Sequence, residues 1–136
     1  MTSRPAALAA ALLLTLAAAG CGGGGKRLYP VEGTVTYEDG APAVELAGGT
    51  VSLESVEDLS NAAGEIQKDG TFHVRTPTRG DGAAPGTYRV LVQPAEGRRG
   101  NPIDAKYGRY NTSGIEITVK DQPNTVEIKV HRSKGK

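Results

Sequence analysis

Among its 136 residues the chain has no tryptophan, one phenylalanine, one methionine, one cysteine and two histidines. One cysteine cannot close an internal disulfide, so the fold must stand on packing and hydrogen bonds. His73 and His131 are isolated, with no His-x-x-His, His-x-x-Glu or cysteine cluster nearby to assemble a converging zinc set. Calcium needs about six to eight oxygens. Asp39, Asp69 and Asp81 each precede glycine, which assigns them to turns instead. No metal and no other cofactor is expected. A Gly-x-Ser-x-Gly elbow is missing as well, and no catalytic constellation takes its place. The chain is therefore not expected to be an enzyme. Without tryptophan, a sugar-stacking platform would rest on tyrosines alone.

Charge of one sign is not in excess: 16 Lys and Arg stand against 15 Asp and Glu. Neither a nucleic-acid footprint nor a polybasic membrane patch follows from that balance. Glycine and proline are plentiful, at 19 and 8, which suits a loop-rich β-protein.

Alternation of apolar and polar residues supplies the strands. Tyr29, Val31, Val35 and Tyr37 share one face with Gly33, and Asp39-Gly40 then turns the chain. Val51 and Leu53 point inward from a second strand over 50–56, followed by a polar loop over 57–62. Glu65-Ile66-Gln67 and Thr71-Phe72-His73-Val74-Arg75 flank Lys68-Asp69-Gly70, a strong hairpin signal because Asp and Gly tolerate positive φ. Residues 76–86 read as irregular. Tyr88, Val90 and Val92 alternate inward over 87–93, with the Tyr88 ring in the core and its hydroxyl tying down a loop. Two further strands carry Ile115, Ile117 and Val119, then Val126, Ile128 and Val130. Seven short strands and no long amphipathic helix predict an all-β, seven-stranded antiparallel β-sandwich. Its domain spans 29–131, and residues 132–136 read as a disordered tail.

Residues 6–19 form an uncharged apolar run after Arg4, closed by Gly20-Cys21 and four glycines. At about 14 residues the run is short of the roughly 20 that span a bilayer. Positive start, apolar middle and small-residue end make residues 1–20 a cleaved export segment. Ala18-Ala19-Gly20-Cys21 resembles the bacterial lipoprotein signal, with Ala18 where that family usually has leucine. The resemblance implies lipidation of Cys21, a membrane anchor and a glycine-rich tether over 21–28. Localisation would be the cell envelope, periplasmic or surface-facing. Loss of Arg4 with the export segment leaves the remaining chain neutral.

Three motifs in order carry a second resemblance. Val31-Glu32-Gly33-Thr34-Val35 with Asp39-Gly40-Ala41-Pro42, then Lys68-Asp69-Gly70-Thr71-Phe72, then Pro85-Gly86-Thr87-Tyr88-Arg89-Val90 resemble the first strand, hairpin and "PG-x-Y" strand of carboxypeptidase regulatory-like domains. That family implies a transthyretin-like (prealbumin-like) sandwich, usually noncatalytic. A transthyretin-related hydrolase would share the fold. Its C-terminal Tyr-Arg-Gly-Ser has no counterpart in His131-Arg132-Ser133-Lys134-Gly135-Lys136.

The stretch from Pro94 to Thr112 has no strand pattern and is long for a compact domain. Asn101 as N-cap, Pro102 and the stop at Gly108 predict one helical turn inside it. Arg98, Arg99, Lys106, Tyr107, Arg109 and Tyr110 make this loop the candidate binding surface, because recognition usually sits on loops of a rigid scaffold. A plainer role competes, in which Ile103 and Tyr107 pin a cover over a sheet edge. The functional expectation is a membrane-anchored, noncatalytic module that contacts an envelope protein. A carbohydrate-binding module facing an envelope polysaccharide is the alternative. No nucleic-acid partner is expected.

Overall fold

Val31–Tyr37 (β1) is the strand on which the smaller of two sheets is built. The computed structural model describes residues 26–134; the predicted export segment 1–20, Cys21 and the predicted tether through Gly25 lie outside the described residues, as do the last two. The other strands are Thr50–Ser55 (β2), Asn61–Glu65 (β3), Thr71–His73 (β4), Arg75–Thr76 (β5), Gly80–Asp81 (β6), Gly86–Gln93 (β7), Ile115–Val119 (β8) and Asn124–Val130 (β9). Two 3₁₀ turns, Val44–Leu46 and Ala105–Gly108, are the helical elements among the described residues. One sheet has the order β4-β1-β9 and the other β6-β5-β3-β2-β7-β8. The chain is thus the all-β sandwich that its alternating patterns predict.

The core comes from the inward halves of those patterns. Val31, Val35 and Tyr37 of β1, Val51 and Leu53 of β2, Phe72 of β4, Tyr88, Val90 and Val92 of β7, and Ile128 and Val130 of β9 are all buried. Tyr88 donates its hydroxyl hydrogen to the Ala84 carbonyl at 2.7 Å, so its ring packs while its polar tip stays satisfied.

Several details differ from the sequence expectation. Among the described residues there are nine strands, not seven, because the segment around Val74 changes sheets and divides one predicted strand, and β6 adds another. Thr71–His73 pairs with β1, whereas Arg75 pairs with Ala63 of β3. The Lys68-Asp69-Gly70 turn forms, closed by Gln67 N–H donating to the Thr71 carbonyl at 2.7 Å and with Gly70 at φ +86°. Its flanks then diverge into different sheets instead of forming a ladder. β3 also lies earlier than predicted, over Ala62-Ala63-Gly64, which has no apolar alternation. Small residues are required there: a Cβ on Gly64 would strike the His73 carbonyl where the crossing strand passes. A short strand, β6, occupies the stretch predicted to be irregular.

The second difference is direction. β1 and β9 run parallel over their whole length, from Val31 beside Asn124 to Tyr37 beside Val130. Patterns of neighbouring strands suggest antiparallel hairpins; a parallel pair requires a long connection, and here nearly the whole domain intervenes. Asn124 fastens this return. Its side chain accepts from Lys120 N–H at 2.9 Å and donates to Gln122 and Pro30 carbonyls at 2.6 and 3.3 Å.

The parallel pair polarises the molecule. The chain enters beside Glu57, to which Lys26 Nζ is bound at 3.3 Å. From that end β1 and β9 run together to the other, a rise of about 23 Å at some 3.3 Å per residue.

Candidate functional site

At the end of the sandwich remote from the chain entry, polar groups from four segments converge. Tyr37, the last residue of β1, is 2 % exposed. The Arg132 guanidinium lies over its ring, 3.9 Å from the centroid. Its hydroxyl donates to Glu45 Oε2 at 2.8 Å. Arg132 also pairs with Asp39 at 3.3 Å, and Arg98 donates to the Glu45 carbonyl at 2.6 Å. The turn after β1, the first 3₁₀ turn, the long loop and the end of β9 are thereby joined.

These contacts set the protonation of the cluster. Burial, with the hydrogen bond to Glu45 and its charge, pushes the Tyr37 hydroxyl up to about 12 despite the opposing pull of Arg132 and Arg98. The same hydrogen bond holds Glu45 below the usual carboxylate range. Asp39 is held low chiefly by the Ala41 N–H it accepts, with Arg132 adding to the effect.

The long loop is fastened to the end of β9. Asp104 N–H donates to the His131 carbonyl at 3.0 Å, and Ser133 N–H donates to the Pro102 carbonyl at 3.0 Å. The Tyr107 hydroxyl accepts from His131 N–H at 3.0 Å, and the two rings stack at 6.3 Å between centroids. His131 is also paired with Glu38. Ile103 and Tyr107 are buried, at 1 % and 3 % exposure. The plainer role considered for these two residues, pinning the loop, is the one the structure bears. The helical turn is capped by Asp104, whose carboxylate accepts from Lys106 N–H at 3.0 Å, and not by Asn101. Asn101 instead closes a tight bend by accepting from Ile103 N–H at 3.1 Å. Arg132 and Ser133, expected in the disordered tail, are held by this loop.

The candidate loop residues therefore separate. Arg98 and Lys106 belong to the convergent cluster. Tyr107 is structural, and its ring offers no free face to a sugar. Tyr110 is half-buried on the outer face of the larger sheet, beside Arg89, Ile115 and Glu116. Burial there raises its hydroxyl, with Glu54 adding to the effect. Arg99 and Arg109 are exposed. Asp104 of the same loop also lines the site, and Tyr37, Glu38, Asp39, Glu45 and Arg132 complete it and were not legible as members of it. Their positions in sequence are scattered, and only the return of β9 beside β1 brings them together.

Glu38, Asp104, Lys106, His131, Arg132 and Lys134 line an open recess of about 420 Å³. Among the described residues, Arg99, Lys106, Arg109 and Lys134 have no carboxylate partner. The recess can accept polar or anionic groups. No group of His, Cys, Asp and Glu among the described residues could hold a metal ion.

The fold has a solved likeness. A DUF3823 family protein from Parabacteroides merdae superposes with a TM-score of 0.50 at 19 % identity, over 78 % of this chain and 47 % of that one. This chain thus spans about half of that structure's length, and the likeness is one of fold. No family model and no curated protein matches the chain.

Proposed function

We propose that this protein is a membrane-anchored cell-envelope lipoprotein whose noncatalytic β-sandwich, of carboxypeptidase regulatory-like type, presents an interaction site to an envelope partner. The observation that carries this reading is the opposition of two ends. The chain enters the domain at one end, five residues after Cys21. The convergent recess, with Lys106 and Lys134 free of carboxylates among the described residues, lies at the other. An anchor at Cys21 would hold the entry end near the bilayer and turn the recess toward the envelope. Lipid attachment on more than one acyl chain is effectively permanent, so a rigid β1–β9 pair would act as a fixed standoff of about 23 Å.

The family reading is supported by where the motifs fall. Val31–Val35 lies in β1, Asp39-Gly40 is the turn after it, Lys68–Phe72 is the turn into β4, and Gly86–Val90 lies in β7 with the buried Tyr88. Lys106 and Lys134, which make no ion pair among the described residues, would meet an acidic protein surface or acidic envelope polymer, with Glu38 and Asp104 sharing the recess. Photo-crosslinking from position 106 in intact cells tests this reading. Capture of one envelope component that is lost in Lys106→Glu/Lys134→Glu supports it; the same capture in that variant would overturn it.

A further inference from the structure

At the entry end, two of the three exposed large apolar side chains of the described residues sit in a single turn. Val56 is 42 % and Leu59 59 % exposed, while the third, Val44, lies near the far end. Leu59 has φ +60°, a left-handed conformation that usually falls to glycine or asparagine. The turn that holds it there is fully bonded. Leu59 N–H donates to the Ser55 carbonyl at 3.0 Å. The Ser55 hydroxyl accepts from Glu57 N–H at 3.2 Å, and Asp58 accepts from Ser60 N–H and its hydroxyl at 3.0 and 2.7 Å. A leucine is thus held outward on a rigid turn at the cost of backbone strain, a pattern that marks functional surfaces.

Cations surround it. Lys26 pairs with Glu57, Arg27 lies over the Tyr29 ring at 5.4 Å, and Arg79 donates to the Lys26 carbonyl. Arg79 is itself presented by a second left-handed residue, Thr78, at φ +63°. On this end Glu57 is matched by Lys26 and Asp81 by Arg75, Asp121 follows Lys120 in the turn before β9, and Asp58 accepts from Ser60 and keeps its charge. Arg27 and Arg79 make no ion pair among the described residues.

We infer that this turn is a membrane-contact surface: Leu59 and Val56 enter the headgroup boundary while Arg27 and Arg79 meet lipid phosphates. The inference rests on the anchor proposed above. From Cys21 to Lys26 the chain can reach at most about 17 Å. The entry end is then confined next to the bilayer. At the millimolar effective concentration that a short tether imposes, a small apolar tip suffices where it would not bind from solution.

The test uses the full lipidated protein in vesicles of phosphatidylcholine, with and without phosphatidylglycerol, carrying a photo-crosslinking amino acid at position 59 or, as control, at position 44. Lipid adducts at 59 should exceed those at 44 at least fivefold, and Arg27→Glu/Arg79→Glu should lower the 59 yield at least twofold when phosphatidylglycerol is present. Equal yields at 59 and 44 would overturn the inference. So would adducts at 59 in native membranes that are protein and not lipid. Mass of the Cys21 peptide in the same preparation separates the two readings. If it carries no acyl chain, the anchor fails, and coupling the Cys21 thiol to a maleimide lipid tests the contact by the same 59-to-44 ratio.

Discussion

The guanidinium of Arg132 rests 3.9 Å above the ring of Tyr37, one residue from the tail and the other from the end of the first strand. The contact closes the far end of the sandwich, although the Arg132 charge opposes the rise that burial and Glu45 impose on the hydroxyl of Tyr37. Because its hydroxyl is raised from the ordinary 10 to about 12, the folded state holds that proton more tightly than the unfolded chain. Its contribution to stability is complete below about pH 10 and is lost as pH rises from there through about 12. Alkaline titration of tyrosine absorbance should show a limb near pH 12 that vanishes in Tyr37→Phe. That variant should also lose about 1 kcal/mol, the ordinary worth of its hydrogen bond to Glu45. A limb that persists in the variant would contradict the assignment.

Gly33 leaves room for its neighbours. It sits in register between Phe72 and Val126, and a Cβ there would lie 2.8 Å from the Phe72 ring and collide with the Val126 carbonyl. Gly33→Ala should cost about 2–3 kcal/mol in chemical denaturation, the scale of overpacking in a tight core. An unchanged midpoint would mean that the ring does not pass beneath this residue.

Gly70 combines φ +86° with close packing, since a Cβ would lie 3.3 Å from Pro42 and from the backbone of Val35 and Ala43. Gly70→Val should therefore destabilise by more than about 1 kcal/mol. A midpoint equal to that of the parent would mean the corner turn is drawn wrongly.

Much of this fold was legible beforehand. Period-two alternation located the buried residues of β1, β2, β7 and β9 because each of those strands has one face on the core. The corner at Val74 was not legible, since a strand that changes sheets keeps the same alternation on both sides of the change. β3 escaped because Ala62-Ala63-Gly64 is selected for closeness to another backbone and not for apolar bulk. At the candidate site, the long loop stood out by its cations. Arg132 and Glu45 did not, because their importance depends on which strands end side by side, and nothing local encodes that β9 lies parallel to β1.

Tyr107 holds the loop through one hydroxyl, which accepts from His131 N–H at 3.0 Å. Tyr107→Phe should lower stability by about 1 kcal/mol and speed amide exchange at His131 and through 102–109, leaving β2 and β7 protected. Uniform exchange change across the domain would contradict a local fastening role.

The account turns on the anchor, and the direct measurement is the mass of the N-terminal peptide of protein extracted from membranes, compared with membrane fractionation of Cys21→Ser. An acylated peptide beginning at Cys21, together with release of Cys21→Ser from the membrane, is the predicted result. An unmodified Cys21, or a Cys21→Ser protein that fractionates with membranes as before, would contradict it.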